Sequence, residues 1–134
     1  MIEVRLRKLV MVDNDPRQIL VLEEANKEIP RHITLAIGPI EAAEICRILE
    51  QSTPPRPLTH QLLTRVVAQL GGKIEKAVIN HRDGSTYFAE LHLSRNGEMT
   101  SVDCRPSDAL ALCLRLDVPL YVSSEILNAP TEDD

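Results

Sequence analysis

Apolar positions along the chain follow two alternating rhythms, one that repeats every two residues and one that repeats every three to four. Residues 2–12 and 18–23 have the strand rhythm, and Asp13-Asn14-Asp15-Pro16 between them is turn chemistry. Residues 31–37 alternate again as a strand. Gly38-Pro39 then opens a helix that runs to about Gln51, with proline at its first position and an apolar face of Ala42, Ile45, Ile48 and Leu49. The Pro-rich run from Ser52 to Pro57 cannot be helical and reads as a stiff spacer. A connector helix is predicted over 59–70, with Thr59 as N-cap and Gly71-Gly72 as stop; Leu62, Leu63, Val66, Val67 and Leu70 form its buried stripe. Residues 73–80 and 85–93 form a hairpin across Arg82-Asp83-Gly84. Residues 98–104 extend it across Asn96-Gly97, a strong type I′ signal. A helix from Pro106 to about Leu116, a short strand at 119–122 and a capped turn at 123–127 complete the order.

The two halves repeat. With a shift of 67 residues, Pro39 falls on Pro106, Glu41 on Asp108, Ala42 on Ala109, Ile45 on Leu112, Cys46 on Cys113 and Leu49 on Leu116. We read an internal duplication, repeats at about 2–51 and 73–116, with the connector helix between them. The predicted fold class is α+β: a duplicated hairpin-strand-helix unit, largely antiparallel sheet, with helices packed against it. All 134 residues are read as one domain ending in an acidic tail at 130–134.

Composition narrows the function classes. The net charge of −5 speaks against a protein that coats nucleic acid by charge alone. The acidity is concentrated at the end, where residues 116–134 carry five acids and no base. The middle of the chain is mildly basic. With one Phe, two Tyr and no Trp there is no stacking platform for single strands, beyond a contact from Tyr87. No apolar run is long enough to span a membrane, and the N-terminus reads as a strand, so a cytoplasmic location is expected. Cys46, Cys104 and Cys113 lack zinc-ligand spacing, and the first and last fall on apolar helix faces as buried thiols. No glycine-rich phosphate loop and no serine-nucleophile motif is present.

The repeat separates architecture from chemistry. Pro106 and Asp108 have counterparts in the first copy, and an acid near a helix N-terminus is favoured by the helix dipole. Asp103, Arg105 and Ser107 face Ala36, Gly38 and Ile40, so the shared architecture does not demand their polarity. Asp103 could ligate a divalent metal or activate water, with Asp108 as a further candidate ligand or catalytic acid. Arg105 offers a planar fork for phosphate. Ser107 and the free N–H groups of the helix start could hold an anion. A purely structural alternative is an Asp103–Arg105 or Arg105–Asp108 salt bridge capped by Ser107. His60, in the first turn of the connector helix, is placed to stay neutral and act as a base or a metal ligand, the alternative being a surface histidine at a helix end.

Arg56-Pro57-Leu58-Thr59-His60, Leu70-Gly71, Thr86-Tyr87-Phe88-Ala89 and Asp103-Cys104-Arg105-Pro106-Ser107-Asp108-Ala109-Leu110-Ala111-Leu112 together resemble the bifunctional nuclease domain, long catalogued as a domain of unknown function. Ile37-Gly38-Pro39, Glu41-Ala42 and Pro119-Leu120-Tyr121-Val122 fit as well, so the resemblance covers about residues 2–129. The family's pattern often has an acid after the Thr-His pair, where this chain has Gln61. The resemblance implies a nuclease that cleaves RNA and DNA. Beside it, the residues themselves suggest Asp103, with His60 or Asp108, activating water directly or through Mg²⁺ or Mn²⁺, and Arg105, Ser107 and Tyr87 on the substrate. No organic cofactor and no membrane partner are expected, and a homo-oligomer is compatible with the sequence. The alternative is a non-catalytic module that binds nucleic acid, an anion or a protein through the same edge.

Overall fold

A computed structural model describes residues 1–129; the acidic tail predicted at 130–134 lies outside the described residues. The first half is an antiparallel meander of β1 (Ile2–Val10), β2 (Gln18–Glu24) and β3 (His32–Ile37), followed by helix α1 (Pro39–Leu49). The second half repeats it with β4 (Lys73–Asp83), β5 (Thr86–Arg95), β6 (Glu98–Cys104) and helix α3 (Pro106–Leu116). Helix α2 (Thr59–Gln69) connects the halves, and β7 (Leu120–Val122) and a 3₁₀ turn (Ser124–Ile126) follow.

One seven-stranded sheet holds all of this, in the order β3-β2-β1-β7-β4-β5-β6. The order reads alike from either edge towards β7, as a duplicated unit arranged about a central strand should. Every pairing is antiparallel except β4 with β7. The α+β class and the duplicated unit therefore stand. The strand rhythm has its expected cause, since Leu20, Leu22, Ile33, Leu35, Ala77, Ile79, Ala89 and Leu91 are buried on one face of the sheet. Helices α1 and α3 cover that face with Ala42, Ile45, Ala109 and Leu112, all at 0% exposure. Asn96 and Gly97 both take positive φ (52° and 80°), as a type I′ turn requires. The β4–β5 strands run further than the sequence suggests and turn at Gly84-Ser85.

Helix α2 departs from expectation. Its N-cap is Leu58, and Thr59 is the first helical residue. Gln61 caps the helix by accepting the Leu58 amide N–H at 3.0 Å, which holds the turn that carries His60. The predicted buried stripe is not buried. Leu62, Leu63, Val66 and Leu70 are all more than 40% exposed, and only Val67 packs against the core. The apolar face of the sheet is already covered by α1 and α3, so α2 settles at its margin against α3 and β4. Leu49 on α1 is likewise exposed.

Glu24 closes the β2–β3 end. Its buried carboxylate accepts from the Arg31 guanidinium at 2.8 Å and from the Arg31 amide at 2.9 Å. These hydrogen bonds hold the carboxyl at about 2, well below the ordinary value, against the opposing effect of burial. A depressed folded pKa stabilises above the unfolded value and is lost as pH falls towards the folded one. Glu24→Gln is therefore expected to lower the melting temperature by several degrees at pH 7. The gap between variant and parent should close between about pH 4.5 and pH 2 in a calorimetric pH series.

Candidate active site

The starts of α1 and α3 lie together beneath the first turn of α2, and their polar side chains form one network. Arg105, the N-cap residue of α3, is placed by the strand-to-helix junction and by Pro106 at the first helical turn. Its Nε donates to Asp108 Oδ2 at 3.0 Å and one terminal nitrogen to Asp108 Oδ1 at 3.1 Å. The other terminal nitrogen donates to Glu41 Oε1 on α1 at 3.2 Å, so one guanidinium ties the two repeats together. Its side chain remains 64% exposed. On the other side, His60 Nε2 lies 3.0 Å from Asp108 Oδ1. The opposite ring nitrogen, Nδ1, is 3.9 Å from Glu44 Oε1, beyond a hydrogen bond. Glu44 is buried in α1 and accepts from Arg47 at 2.9 Å and from Arg115 at 2.7 Å.

The charge states follow from these contacts. The hydrogen bond from His60, with those from Arg105, holds the Asp108 carboxyl at about 2 despite its partial burial. Asp108 is thus a carboxylate at neutral pH and accepts from His60 Nε2–H; in the neutral imidazole that tautomer carries its lone pair on Nδ1. Burial raises the Glu44 carboxyl, but the Arg47 and Arg115 hydrogen bonds outweigh it and leave the group below its ordinary value. Burial also pushes the Cys104 thiol up to about 11 and Cys113 up to about 12, so neither is a thiolate nucleophile at neutral pH.

Three clefts meet at Arg105. The largest, about 560 Å³, is walled by His60, Glu44, Arg47, Glu41 and Arg105. A second, of about 450 Å³, lies between α2 and β6 and is mostly apolar, with His60, Asp108, Asp103 and Arg105 at its rim. A third, of about 230 Å³, opens between the two helix starts and includes Ser107, Thr86, Tyr87 and Glu41.

Of the residues singled out from sequence, His60, Arg105 and Asp108 converge. The Arg105–Asp108 salt bridge of the structural alternative is present, but Ser107 does not cap α3. Asp103 does not join the network. It stands opposite Glu90 in the β5–β6 register, whereas its neighbours Val102 and Cys104 stand opposite Leu91 and Ala89 on the helix-covered face. Its carboxylate therefore falls on the other face of the sheet, although β6, as the edge strand, borders the second cleft. Tyr87 lines the third cleft beneath the Arg82 guanidinium, 5.3 Å from its ring centre.

Asp103 and Asp108 are not placed to share a divalent ion in this arrangement, since strand parity puts Asp103 on the other face of the sheet and His60 and Arg105 take three of the acceptor sites of Asp108. Among the described residues no group of three or more His, Cys, Asp or Glu is arranged to hold a metal. Glu41 and Glu44 are functional candidates that sequence reasoning missed. The available signal was Glu44, an acid between Ala42 and Ile45 where a helix face turns inward.

An α+β duplication with an Arg-His-Asp cluster at paired helix starts defines the class, and comparison with known proteins identifies the family. The bifunctional nuclease domain matches residues 20–133, and the chain belongs to that family. An uncharacterized protein of Mycobacterium tuberculosis is 36% identical over 125 residues, which is 93% of this chain and 73% of the relative. Bifunctional nuclease 2 of Arabidopsis thaliana is 35% identical over 71 residues, 51% of this chain. Bifunctional nuclease 1 of Oryza sativa subsp. indica is 26% identical over 125 residues, 90% of this chain. The chain spans only 22% of the Arabidopsis protein and 37% of the rice protein. No helix among the described residues is long and apolar enough to cross a membrane.

Proposed function

We propose that this protein hydrolyses phosphodiester bonds of RNA and DNA, with His60 as the proton-transfer group, Asp108 as its orienting partner and Arg105 as the phosphate contact. The observation that carries this reading is the His60–Asp108 hydrogen bond at a cleft that both His60 and Arg105 wall. A nuclease for both polymers cannot depend on the 2′-hydroxyl as nucleophile, because DNA lacks it, so water must attack. His60 Nδ1 takes a proton from that water. The water oxygen bonds to phosphorus as the bond to the departing sugar oxygen, in line on the far side, breaks; that oxygen takes a proton from solvent and His60 afterwards releases its own to solvent. The imidazolium formed in between lies beside two carboxylates, Asp108 and Glu44, which stabilise it. Arg105 neutralises charge that builds on the phosphoryl oxygens. No step runs through a metal ion.

The test is cleavage of single-stranded RNA and DNA by purified protein, with and without EDTA, beside His60→Gln and Asp103→Asn. Cleavage that persists in EDTA, is lost in His60→Gln and is unchanged in Asp103→Asn is the expected result. Wild-type cleavage by His60→Gln, or no cleavage by the wild type, would overturn the reading. One observation favours a binding module without turnover. Glu41, Glu44 and Asp108 balance Arg47, Arg105 and Arg115, so the cluster presents no excess positive charge to a polyanion. A folded protein that neither cleaves nor retains an oligonucleotide would select that alternative, as a module for a protein or small-anion partner.

A further inference from the structure

We infer that the third cleft, at the N-terminus of α3, is a phosphate subsite distinct from the position served by His60. This deepens the phosphodiesterase reading and rests on it only for the source of the phosphate, a neighbouring phosphate of the bound strand.

The two helix starts that line this cleft are equivalent in sequence and differ in how their N–H groups are satisfied. In α1, the Glu41 carboxylate folds back over its own helix start. Its oxygens lie 2.8 and 3.0 Å from where a β-carbon on Gly38 would stand, so the chain supplies its own anion there. In α3, the matching Asp108 carboxylate is drawn away to His60 and Arg105, and the N-cap residue makes no side-chain cap. The first backbone hydrogen bond of α3 runs from Ala109 to the Arg105 carbonyl, and Pro106 has no N–H. The amides of Ser107 and Asp108 are left as donors at the positive end of an 11-residue helix.

Ser107 is the independent observation. It is 6% exposed, it lines this cleft, and its hydroxyl has no hydrogen-bond partner among the described residues. Its oxygen opens on the cleft rather than being sealed in the core, and the matching position of the first copy, Ile40, is 80% exposed, so the two copies differ here in environment as well as in side chain. The Thr86 side chain and the edge of Arg105 complete the polar wall, and Glu41 bounds it on the α1 side. At about 230 Å³ the space admits a phosphate with part of its sugar.

The experiment titrates inorganic phosphate into ¹⁵N-labelled protein and follows the amide resonances, with Ser107→Ala as the variant. Alanine is a good helix former and removes only the hydroxyl. Saturable shifts centred on the Ser107 and Asp108 amides are expected, with affinity about tenfold weaker in Ser107→Ala. The absence of saturable shifts at those amides, or an equal affinity in the variant, would overturn the proposal. Turnover is not read, so a protein that binds phosphate here and cleaves nothing refutes the nuclease reading alone. Cleavage without these shifts refutes the subsite alone.

Discussion

His60→Gln is expected to lower phosphodiester turnover about 100- to 10,000-fold, the usual contribution of a positioned general base. The fold should survive the change. His60 sits on α2, which buries none of its residues fully, and Asp108 keeps both hydrogen bonds from Arg105 when the imidazole is gone. Glutamine can still donate to Asp108 but offers no nitrogen lone pair. A variant with an unchanged melting temperature and lost turnover separates proton transfer from structure. Asp108→Asn is the companion variant. With an amide in place of the carboxylate, the shared proton need no longer sit on Nε2, and the free lone pair can face the wrong way. Its loss of rate should approach that of His60→Gln, and the two losses should not add in the double variant.

How much of this was legible beforehand depended on the physical range of each signal. Strand and helix periodicity is local, so the strands, the two proline-initiated helices and the Asn96-Gly97 turn could be read directly. The internal repeat added a longer-range constraint and gave the duplicated α+β class. The connector helix failed for the opposite reason. An apolar stripe such as Leu62, Leu63, Val66 and Leu70 reports what a helix can bury, not whether the sheet still has a face to receive it. That depends on α1 and α3, residues distant in sequence.

The candidate site divides in the same way. Arg105 was legible because the first copy has Gly38 in its place. In the structure a β-carbon at Gly38 would meet only the mobile end of the Glu41 side chain, the partner of Arg105, so that contact is eased by the glycine rather than dependent on it. His60 was legible as a helix-start histidine, but its bond to Asp108 spans 48 residues of sequence. Asp103 stands out in the sequence for being polar where the first copy has Ala36. Strand parity keeps it out of the hydrogen-bonded cluster, because one step along β6 moves a side chain to the other face of the sheet, while the residue still borders the second cleft.

Arg105→Lys should reduce turnover by about 100- to 1,000-fold, the scale for removing one preorganised donor to a developing oxyanion. Lysine keeps the charge, so simple electrostatic attraction of the strand survives, and the loss reports the geometry of the fork. At present the guanidinium makes three hydrogen bonds, two to Asp108 and one to Glu41, and spans both repeats. An ammonium group cannot hold Asp108 through two parallel bonds while also reaching Glu41. Asp108 would then rest mainly on His60, and the orientation of the imidazole would loosen along with the phosphate contact. The readout that distinguishes this from a charge effect is the split of kcat from KM. Loss of attraction alone raises KM, whereas loss of the fork lowers kcat with KM little changed. Single-turnover cleavage of a short oligonucleotide at two salt concentrations would measure it. A salt dependence equal to that of the wild type, with a depressed rate at both, is the expected result.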